Sequence, residues 1–351
     1  MSPGLNVLAP GFHTTVQDLG RIGYQDMGVP VSGALDGVSL RVANALVGNP
    51  PAMPGLEILL SGPTLEVAAD SARVALVGAG ASLRIGREDP LVIPAGQSVI
   101  LPGSEVFEVA ASRHSACCYL AVEGGIAVPL VLGSASTYAR AAIGGLEGRA
   151  LRREDVVPLA VARASQGPEL WAPTLPSAAG EQSIRVILGP QQECFTAEAV
   201  TVLLNGKFRV SKDADRMGMR LEGPLLQHRA GWDIVSDAIA TGSIQVPGSG
   251  QPILLMADHQ TTGGYPKIAT VISADLAVVG RRRTGDPIRF LAISVETAEG
   301  LYREQERWLA ELIAGLEPLP RNRLDLTSLY GNNLISGVTT GIEEREGEVP
   351  P

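Results

Sequence analysis

Short apolar runs interrupted by Gly and Pro dominate the chain. In the first half they include LEILLSGPTLEV, ARVALVG and PLVIPAGQSVILPG, and in the second half SIRVILGP and PIRFLAI. Short strand-like runs with turn-forming residues between them are typical of barrels or sandwiches and not of alternating strands and helices. The pattern therefore predicts an all-β protein.

Two segments depart from the strand pattern and predict helices. Between Leu35 and Val47, Val and Leu recur at helical spacing, and the sequence Gly-Asn-Pro follows as a stop signal. Ser32 or Asp36 is the simplest N-cap for this helix. Between Glu296 and Leu316, one apolar stripe lies opposite charged side chains, which predicts a second, amphipathic helix.

The composition predicts two domains of ordinary size joined by a linker. Residues 162–182 are rich in Ala, Ser, Gly, Pro and Gln and show no periodicity, so they are the best candidate for the linker. The expected divisions are a first β domain at 1–161, a second at 183–295, and a C-terminal helix followed by an irregular tail at 296–351.

The charge and the cysteines limit the partners and the compartment. The formal net charge is −9 and the pI is about 5.1, so binding to nucleic acid or to an anionic membrane surface is not expected. Three cysteines, two of them adjacent, indicate a reduced protein. The chain shows no signal-peptide pattern and no run of membrane-spanning length. We therefore expect a cytoplasmic protein.

Familiar catalytic motifs are absent from the sequence. Gly206-Lys207 is followed by Phe208, which rules out a phosphate-binding loop of the G-x-x-x-x-G-K-[ST] type. No serine stands in a G-x-S-x-G elbow. The four histidines lack zinc spacing with the cysteines, so no metal site is expected.

A polar loop after the run SIQVPGSGQPILLMAD is the first candidate site. Its Gln and Thr side chains and its glycine-exposed backbone amides suit a carboxylate, amide or phosphate, and a lysine adds a positive charge. The alternative is a tight turn with ordinary internal hydrogen bonds. The candidate ligand-binding residues are Gln260, Thr261, Thr262, Gly263, Gly264, Tyr265 and Lys267, with Asp258 before them.

Two charged segments are weaker candidates. Asp215-Arg216 could form an oriented pair that binds an anion, but such a pair is more often a surface ion pair. The run Arg281-Arg282-Arg283 could clamp an anion, although a solvated hairpin turn is the favoured interpretation.

Four long motifs together resemble the carboxyltransferase-domain family of C/A-type subunits. They are TTVQDLGRIGYQDMGVPVSGALD, LGSASTY with GGLEGRAL, DADRMGMRLEGPLL, and GSIQVPGSGQPILLMADHQTTGGYPKIATVISADL, and the likeness extends from about Gly11 to Phe290. The family includes the C subunit of 5-oxoprolinase, KipA, allophanate hydrolase subunit 2 and the corresponding part of urea amidolyase. The resemblance implies two tandem cyclophilin-like β-barrels.

The resemblance also implies a function and partners. The favoured expectation is the C subunit of an ATP-dependent 5-oxoprolinase that opens 5-oxoproline to glutamate. Its partners would be a KipI-like B subunit, which shares the ATP, together with the A subunit. One alternative is a carboxyltransferase subunit that uses biotin to carboxylate urea or another amide. Another is a non-catalytic regulator of a KipI-like kinase inhibitor.

The resemblance marks the residues expected around one pocket of the second domain. Phosphorylation of an amide oxygen needs positioning and charge stabilisation more than a covalent nucleophile, which accords with the missing motifs. Asp215, Arg216, Asp258 and Lys267 are the candidate catalytic residues, and Gln245 joins the loop residues Gln260, Thr261, Thr262, Gly263, Gly264 and Tyr265 as candidate substrate-binding residues.

Overall fold

The first half of the chain forms two antiparallel sheets around one apolar core. The computed structural model describes residues 2–86, 89–110, 112, 114–176 and 182–319. Alternate side chains from both sheets enter the core, among them Val7 and Phe107 from one sheet and Val16 and Leu120 from the other. The elements are β1 Gly4–Ala9, β2 His13–Gln17, α1 Gly37–Leu46, β3 Gly55–Leu59, β4 Thr64–Ala68, β5 Ser71–Val77, β6 Ser82–Ile85, β7 Leu91–Pro94, β8 Ser98–Pro102, β9 Val106–Ala110, β10 Cys117–Val122 and β11 Val156–Pro158.

The second half is built on one eight-stranded sheet that curls into a nearly closed barrel. The elements from the linker onward are β12 Leu170–Trp171, β13 Ile184–Leu188, α2 Ala197–Asn205, β14 Phe208–Val210, β15 Gly218–Glu222, β16 Asp237–Ala238, β17 Ser243–Gln245, β18 Ile253–Leu255, β19 Thr262–Gly263, β20 Lys267–Val271, α3 Ser273–Gly280, β21 Pro287–Ile288, β22 Phe290–Ala292, α4 Val295–Ala314 and β23 Glu317–Pro318. The strand order in the sheet is β21-β14-β15-β18-β17-β20-β13-β22, so both edge strands are neighbours in the chain with only Arg289 between them.

The predicted all-β fold class is confirmed, with a separate strand-built core in each half. The strands of the first core end at Pro158 and those of the eight-stranded sheet begin at Ile184. Contacts nevertheless join the described residues up to Pro318 into one compact unit. The exact domain bounds stay a prediction. The irregular tail was predicted after the last helix, and its residues from 320 onward lie outside the part of the chain that the structure describes.

The described part of the predicted linker is docked on the first half. The Arg73 guanidinium donates to the carbonyl oxygens of Pro168 at 2.7 Å and Gly167 at 2.6 Å. Strand β12 then pairs with β23 at the end of the last helix. Since a buried guanidinium and two strand residues fix its path, this segment is ordered by tertiary contacts that its composition does not reveal.

Both predicted helices are present, and two others were missed. Helix α1 lies within the predicted 35–47, and α4 overlaps the predicted 296–316 almost completely. Helix α2 carries β-branched residues that resemble a strand, but Thr196 caps it by accepting from the Ala199 amide. Helix α3 is apolar on most faces because it is buried, so its sequence lacks a helical stripe. The apolar pattern thus indicated α1 and α4 but not the two shorter helices.

Helix α1 joins the two halves. Its apolar residues pack on the outer face of β5 and β10, and Leu309 of α4 and Ala277 of α3 complete this cluster. Asp36 accepts from the Ser39 amide at 3.0 Å and so caps α1, as predicted. The same carboxylate binds the Arg281 guanidinium at 2.5 Å. One buried aspartate therefore begins the helix and ties it to the second half.

The favoured interpretation of the three consecutive arginines as a solvated turn was wrong. Arg281 and Arg282 are buried, and Arg282 donates to the Gln182 carbonyl oxygen at 3.0 Å. Arg283 pairs with Asp286 at 3.2 Å. The sequence pattern could not distinguish these outcomes, because the partners of Arg281 and Arg282 are distant in the chain.

No helix of the described residues is both long and apolar enough to cross a membrane.

We expect two of the three cysteines to be inert in the folded protein. Cys117 and Cys118 lie on opposite faces of β10 and are both buried. Burial raises the pKa of Cys118 to about 12 and the pKa of Cys117 well above its ordinary value. In a Cys194→Ser variant, Ellman's reagent at pH 8 should react at least about a thousandfold more slowly with the native than with the unfolded chain. Rapid labelling of the native variant would contradict the burial of this strand.

Candidate active site

A cleft lies between the two halves, and the strands of the first half supply one of its walls. Alternation along β2 sends Val16 into the core and turns His13 and Thr15 outward. Strand β3 pairs with β2 and does the same, with Leu56 and Ile58 inside and Glu57 outside, opposite Thr15. The outward face is polar yet covered by the second half, so its polar groups need partners there.

Arg216 of the second half meets this polar face at the base of the cleft. Its guanidinium binds Asp258 through two hydrogen bonds of 2.8 and 3.1 Å and also binds Glu57. It further donates to the Gly33 carbonyl oxygen at 2.7 Å. Burial lowers the pKa of Arg216, but Glu57 and Asp258 raise it above the ordinary value. A fully ionised cation is thus held between carboxylates from both halves.

Glu57 is the link that fixes this arrangement to the first half. Besides Arg216, its carboxylate accepts from the Tyr119 hydroxyl at 2.6 Å and from the Leu35 amide at 2.8 Å. The Tyr119 hydroxyl in turn accepts from the Asp36 amide at 2.8 Å. Burial is the main cause that raises the pKa of Tyr119 well above its usual range, so the hydroxyl keeps its proton. One oxygen of the Glu57 carboxylate therefore binds the second half through Arg216, and the other is fixed by two groups of the first half.

The cleft has a volume of about 350 Å³, which suits a small molecule. Asp258 and Arg216 lie on one side, and His13, Thr15 and Thr137 line it from the first half. The segment before Thr137 is held by Asp18, whose carboxylate binds the Ser134 hydroxyl at 2.7 Å and the Ala135 amide at 2.6 Å. The full set of lining residues is Phe12, His13, Thr15, Leu59, Thr137, Ala139, Arg140, Ala214, Asp215, Arg216, Met217 and Asp258.

Asp215 and Arg216 have separate environments although they are neighbours in the chain. The Asp215 carboxylate accepts from the Met217 amide at 2.9 Å and the Gly218 amide at 3.0 Å, which fixes the turn before β15. It also meets Arg140 at 3.5 Å at the exposed edge of the cleft. The favoured interpretation of Asp215-Arg216 as a surface ion pair was wrong, because Arg216 turns inward to partners that are distant in sequence.

The polar loop forms a second cluster within the second half. The buried Lys267 ammonium binds the Asp237 carboxylate at 2.8 Å and the Ala238 carbonyl oxygen at 3.0 Å. Gln245 donates to the Tyr265 carbonyl oxygen at 3.3 Å, and Gln260 reaches Gln245 at 3.5 Å. These contacts lie inside the cluster and involve none of the residues that line the cleft.

The loop pairs with a neighbouring short strand and brings Gly263 close to the Gln245 side chain. Strand β19, Thr262–Gly263, pairs with β16, Asp237–Ala238, and the Thr261 carbonyl oxygen accepts from the Ile239 amide at 3.0 Å. A Cβ at Gly263 would lie 2.7 Å from the Gln245 side-chain nitrogen. A larger residue at position 263 would therefore displace the end of the Gln245 side chain, whereas a Cβ at Gly264 would have its nearest neighbour, the Ile234 carbonyl oxygen, at 3.5 Å.

The structure thus divides the residues expected around one pocket into two groups. Asp215, Arg216 and Asp258 line the cleft with residues of the first half. Gln245, Gln260, Thr261, Thr262, Gly263, Gly264, Tyr265 and Lys267 lie in or beside the polar loop. Asp258 and Gln260 are two positions apart, so the chain passes directly from one group to the other. The catalytic and binding roles of these residues stay predictions.

Sequence reasoning missed the contribution of the first half. His13, Thr15 and Thr137 line the cleft, and Glu57 holds Arg216 at its base. One signal was present, since HTTVQ places polar residues at every second position of a strand. A strand with a polar outer face ordinarily meets solvent, so this signal indicates a site only when the covering half is known.

The described residues contain no group of three or more His, Cys, Asp or Glu side chains arranged to hold a metal.

Comparison with known proteins identifies relatives along most of the chain. The family described as carboxyltransferase domain, subdomain A and B, matches residues 27–292. The chain is 37% identical over 314 residues to the C subunit of 5-oxoprolinase from Escherichia coli K12, covering 88% of this chain and 97% of that protein. The corresponding C subunit from Haemophilus influenzae is 35% identical over 308 residues, again with 88% and 97% coverage. The urea carboxylase structure of Kluyveromyces lactis matches with a TM-score of 0.80 and 30% identity, covering 91% of this chain and 30% of that chain.

Removal of the Arg216 guanidinium should destabilise the protein strongly. Arg216→Ala leaves Glu57 and Asp258 buried without a cation, which should lower the free energy of unfolding by about 3–5 kcal/mol. Arg140→Ala is the matched control, because its ion pair is exposed and should contribute under about 1 kcal/mol. Urea denaturation measures both variants.

A double variant tests the cause of this loss. In Arg216→Ala/Asp258→Asn, one of the two uncompensated carboxylates is gone, so the loss should be smaller than in Arg216→Ala alone. An Arg216→Ala protein as stable as the Arg140→Ala control would contradict the proposed importance of this ion cluster.

Proposed function

The chain belongs to the carboxyltransferase domain family, subdomains A and B, and on that basis we propose that it is the C subunit of an ATP-dependent 5-oxoprolinase complex. In this proposal the complex opens 5-oxoproline to glutamate. The observation that carries it is the alignment with two bacterial proteins of that name over nearly their whole length. The cleft between the halves is the proposed substrate site, because it combines a small volume with buried charge and hydroxyl groups.

The polar groups of the cleft suit a small amide with hydrogen-bond acceptors. Arg216 and Asp258 form its ionic base. The Thr15 hydroxyl accepts from the Gln17 side chain at 3.0 Å, and its own proton can be donated to a lactam oxygen or a carboxylate. The guanidinium is already committed to Asp258 and Glu57, so Arg216 acts here by its field and by fixing Asp258. Fixed charges in a cleft stabilise developing charge without reorganisation.

A second cleft of about 210 Å³ adjoins the first and is the proposed place for phosphate groups. Both clefts share Arg216, and the second is also lined by Lys212, Arg282 and Arg283. Four cationic side chains fit the negative charge of a triphosphate, although no phosphate-binding loop is present. ATP would supply the phosphoryl group that makes the lactam carbon a better electrophile. We propose that a partner subunit shares this ATP, in line with the lack of a self-contained nucleotide motif.

The partners follow from the proposed complex. We propose an A subunit, together with a KipI-like B subunit, as the other chains, and a cytoplasmic assembly without nucleic acid or membrane. Gln245, Gln260 and the other polar-loop residues are retained as proposed substrate-binding residues, and Lys267 is retained as a proposed catalytic residue. Their polar groups would contact a ligand only at the edge of the described cleft or in a second site.

The likeness to urea carboxylase favours one alternative function. In it, the chain would transfer a carboxyl group from carboxybiotin to an amide. The 5-oxoprolinase proposal is preferred, because the urea enzymes are matched over a small part of their length, 18% in the amidolyase of Saccharomyces cerevisiae. If the chain were a non-catalytic regulator that binds a KipI-like kinase inhibitor, no assembly that contains it would turn over 5-oxoproline or urea.

Reconstitution tests the proposed function directly. The purified chain alone should not hydrolyse 5-oxoproline, whereas the chain with both partner subunits should release glutamate and consume ATP. Glutamate is measured by chromatography and ADP by a coupled assay, with urea plus a biotinylated carrier as the control substrate system. Carboxylation of urea without 5-oxoproline turnover would support the alternative, and turnover by the chain alone would refute the need for partners.

Substitution of Asp258 tests the cleft as the reaction site. Asp258→Asn keeps the shape but removes the charge, and kcat of the complex should fall about 10²- to 10⁴-fold if this carboxylate positions or moves a proton. Asp213→Asn, at an exposed position nearby, is the matched control. Gln260→Ala tests the polar loop in the same assay. Normal turnover in Gln260→Ala would show that the polar loop is not part of the reaction site. Normal turnover in Asp258→Asn would show that the reaction does not take place in the cleft.

A further inference from the structure

His13 lies in the wall of the cleft with a ring nitrogen that has no partner. The residue lines the cleft, and its Nδ1 is buried without a hydrogen bond to any described residue. Buried polar atoms are paired in most proteins, so an orphan in the wall of a cleft calls for an explanation. Because Nδ1 has almost no accessible surface, a ligand or a ligand-bound water would pair with it only after the ring shifts toward the cleft. This is a property of His13 and not of its strand neighbour Thr14, whose hydroxyl donates to the Pro10 carbonyl oxygen at 2.8 Å.

The surroundings of His13 keep it neutral. Burial and the positive charge of Arg216 lower the pKa of His13 below its ordinary value, and the opposing influence of Glu57 and Asp258 is smaller. Arg140 and Asp215 are the other charged side chains on the same cleft, and they pair with each other at its edge. A neutral imidazole at neutral pH is able to accept a proton and later return it.

His13 is better placed for this task than the acidic residues of the cleft. Both oxygens of Asp258 accept hydrogen bonds from Arg216, and the Glu57 carboxylate is occupied by Arg216, Tyr119 and the Leu35 amide. Asp215 is engaged with two backbone amides. Among these groups, the orphaned nitrogen belongs to His13, and Thr15 on the same strand face provides a neighbouring hydroxyl to orient a water.

We propose that His13 carries protons from the attacking water to the ring nitrogen when the activated lactam opens. This inference rests on the proposed 5-oxoprolinase function. The water oxygen forms a bond to the lactam carbon, and the carbon–nitrogen bond breaks with its electron pair left on nitrogen. His13 takes the protons from the water one at a time and delivers them to that nitrogen, which becomes the amine of the product. The phosphoryl group, donated by a nucleoside triphosphate, stays on the former lactam oxygen in this step.

The first experiment compares His13→Gln with His114→Gln in the complete complex. His114 is exposed and lies outside the cleft, so it serves as the matched control. We expect kcat of His13→Gln to fall about 10²- to 10⁴-fold, with the melting temperature and partner binding close to those of the wild type. Added imidazole should restore part of the activity of His13→Ala. A His13→Gln complex within about threefold of wild-type kcat, or no imidazole rescue in an otherwise folded His13→Ala complex, would overturn the proposal.

The pH profile supplies a second readout. Because the base must be neutral, kcat should fall as the pH drops through the His13 pKa, which lies below the ordinary 6.5. This acidic limb should disappear from the residual activity of His13→Gln, while an unchanged limb would overturn the assignment. A purely structural role would lower stability without removing the limb.

A binding measurement separates this inference from the proposed function. In the isolated chain labelled with ¹⁵N-histidine, the His13 signal is assigned by its absence from His13→Gln, and saturating 5-oxoproline should shift it. A wild-type complex that turns over 5-oxoproline, with no shift and normal His13→Gln kinetics, would refute only the role of His13. A wild-type complex without 5-oxoproline turnover would refute both.

Discussion

The buried Arg216 guanidinium between a carboxylate of each half is the interaction on which the rest of the structure depends. A buried cation is tolerated only when opposite charge and hydrogen bonds replace the lost water. Glu57 comes from a strand of the first half and Asp258 follows a strand of the second, so the ion pairs of Arg216 are completed by both halves. The contact that closes the interface also places the ionic base of the cleft.

Strand alternation connects this ion cluster to the two cores. The strands that send Val16 and Leu56 into the first core necessarily turn Thr15 and Glu57 to the other side. Covering that side by the second half buries a polar face, and the buried charges then need specific partners. Asp36 and Arg281 repeat the same solution at helix α1, where one carboxylate serves as both the cap and the ion-pair partner.

The chemistry proposed for the cleft agrees with the absence of familiar catalytic motifs. Opening an activated lactam requires charge stabilisation, positioning and proton transfer, and none of these needs a covalent nucleophile or a metal. The cleft offers a fixed ion cluster, two threonine hydroxyls and a neutral histidine. The net charge of the chain gave no indication of this ion cluster, because net charge governs long-range attraction and not the content of a pocket.

The sequence by itself determined the local features: the strands, helices α1 and α4, Ser32 and Asp36 as the candidate caps of α1, and membership of the family. Each depends on periodicity, on neighbours within a few residues, or on long motifs. It also marked Asp215, Arg216 and Asp258 as candidate site residues. It did not show that they line one cleft with His13 and Thr15, or that Glu57 binds Arg216. Helix α3 escaped because its burial removes the apolar stripe that identifies a helix. Glu57 and Arg216 are 159 positions apart, so no local pattern joins them. Only the packing of one half on the other decides which polar faces are buried, and those buried faces form the cleft.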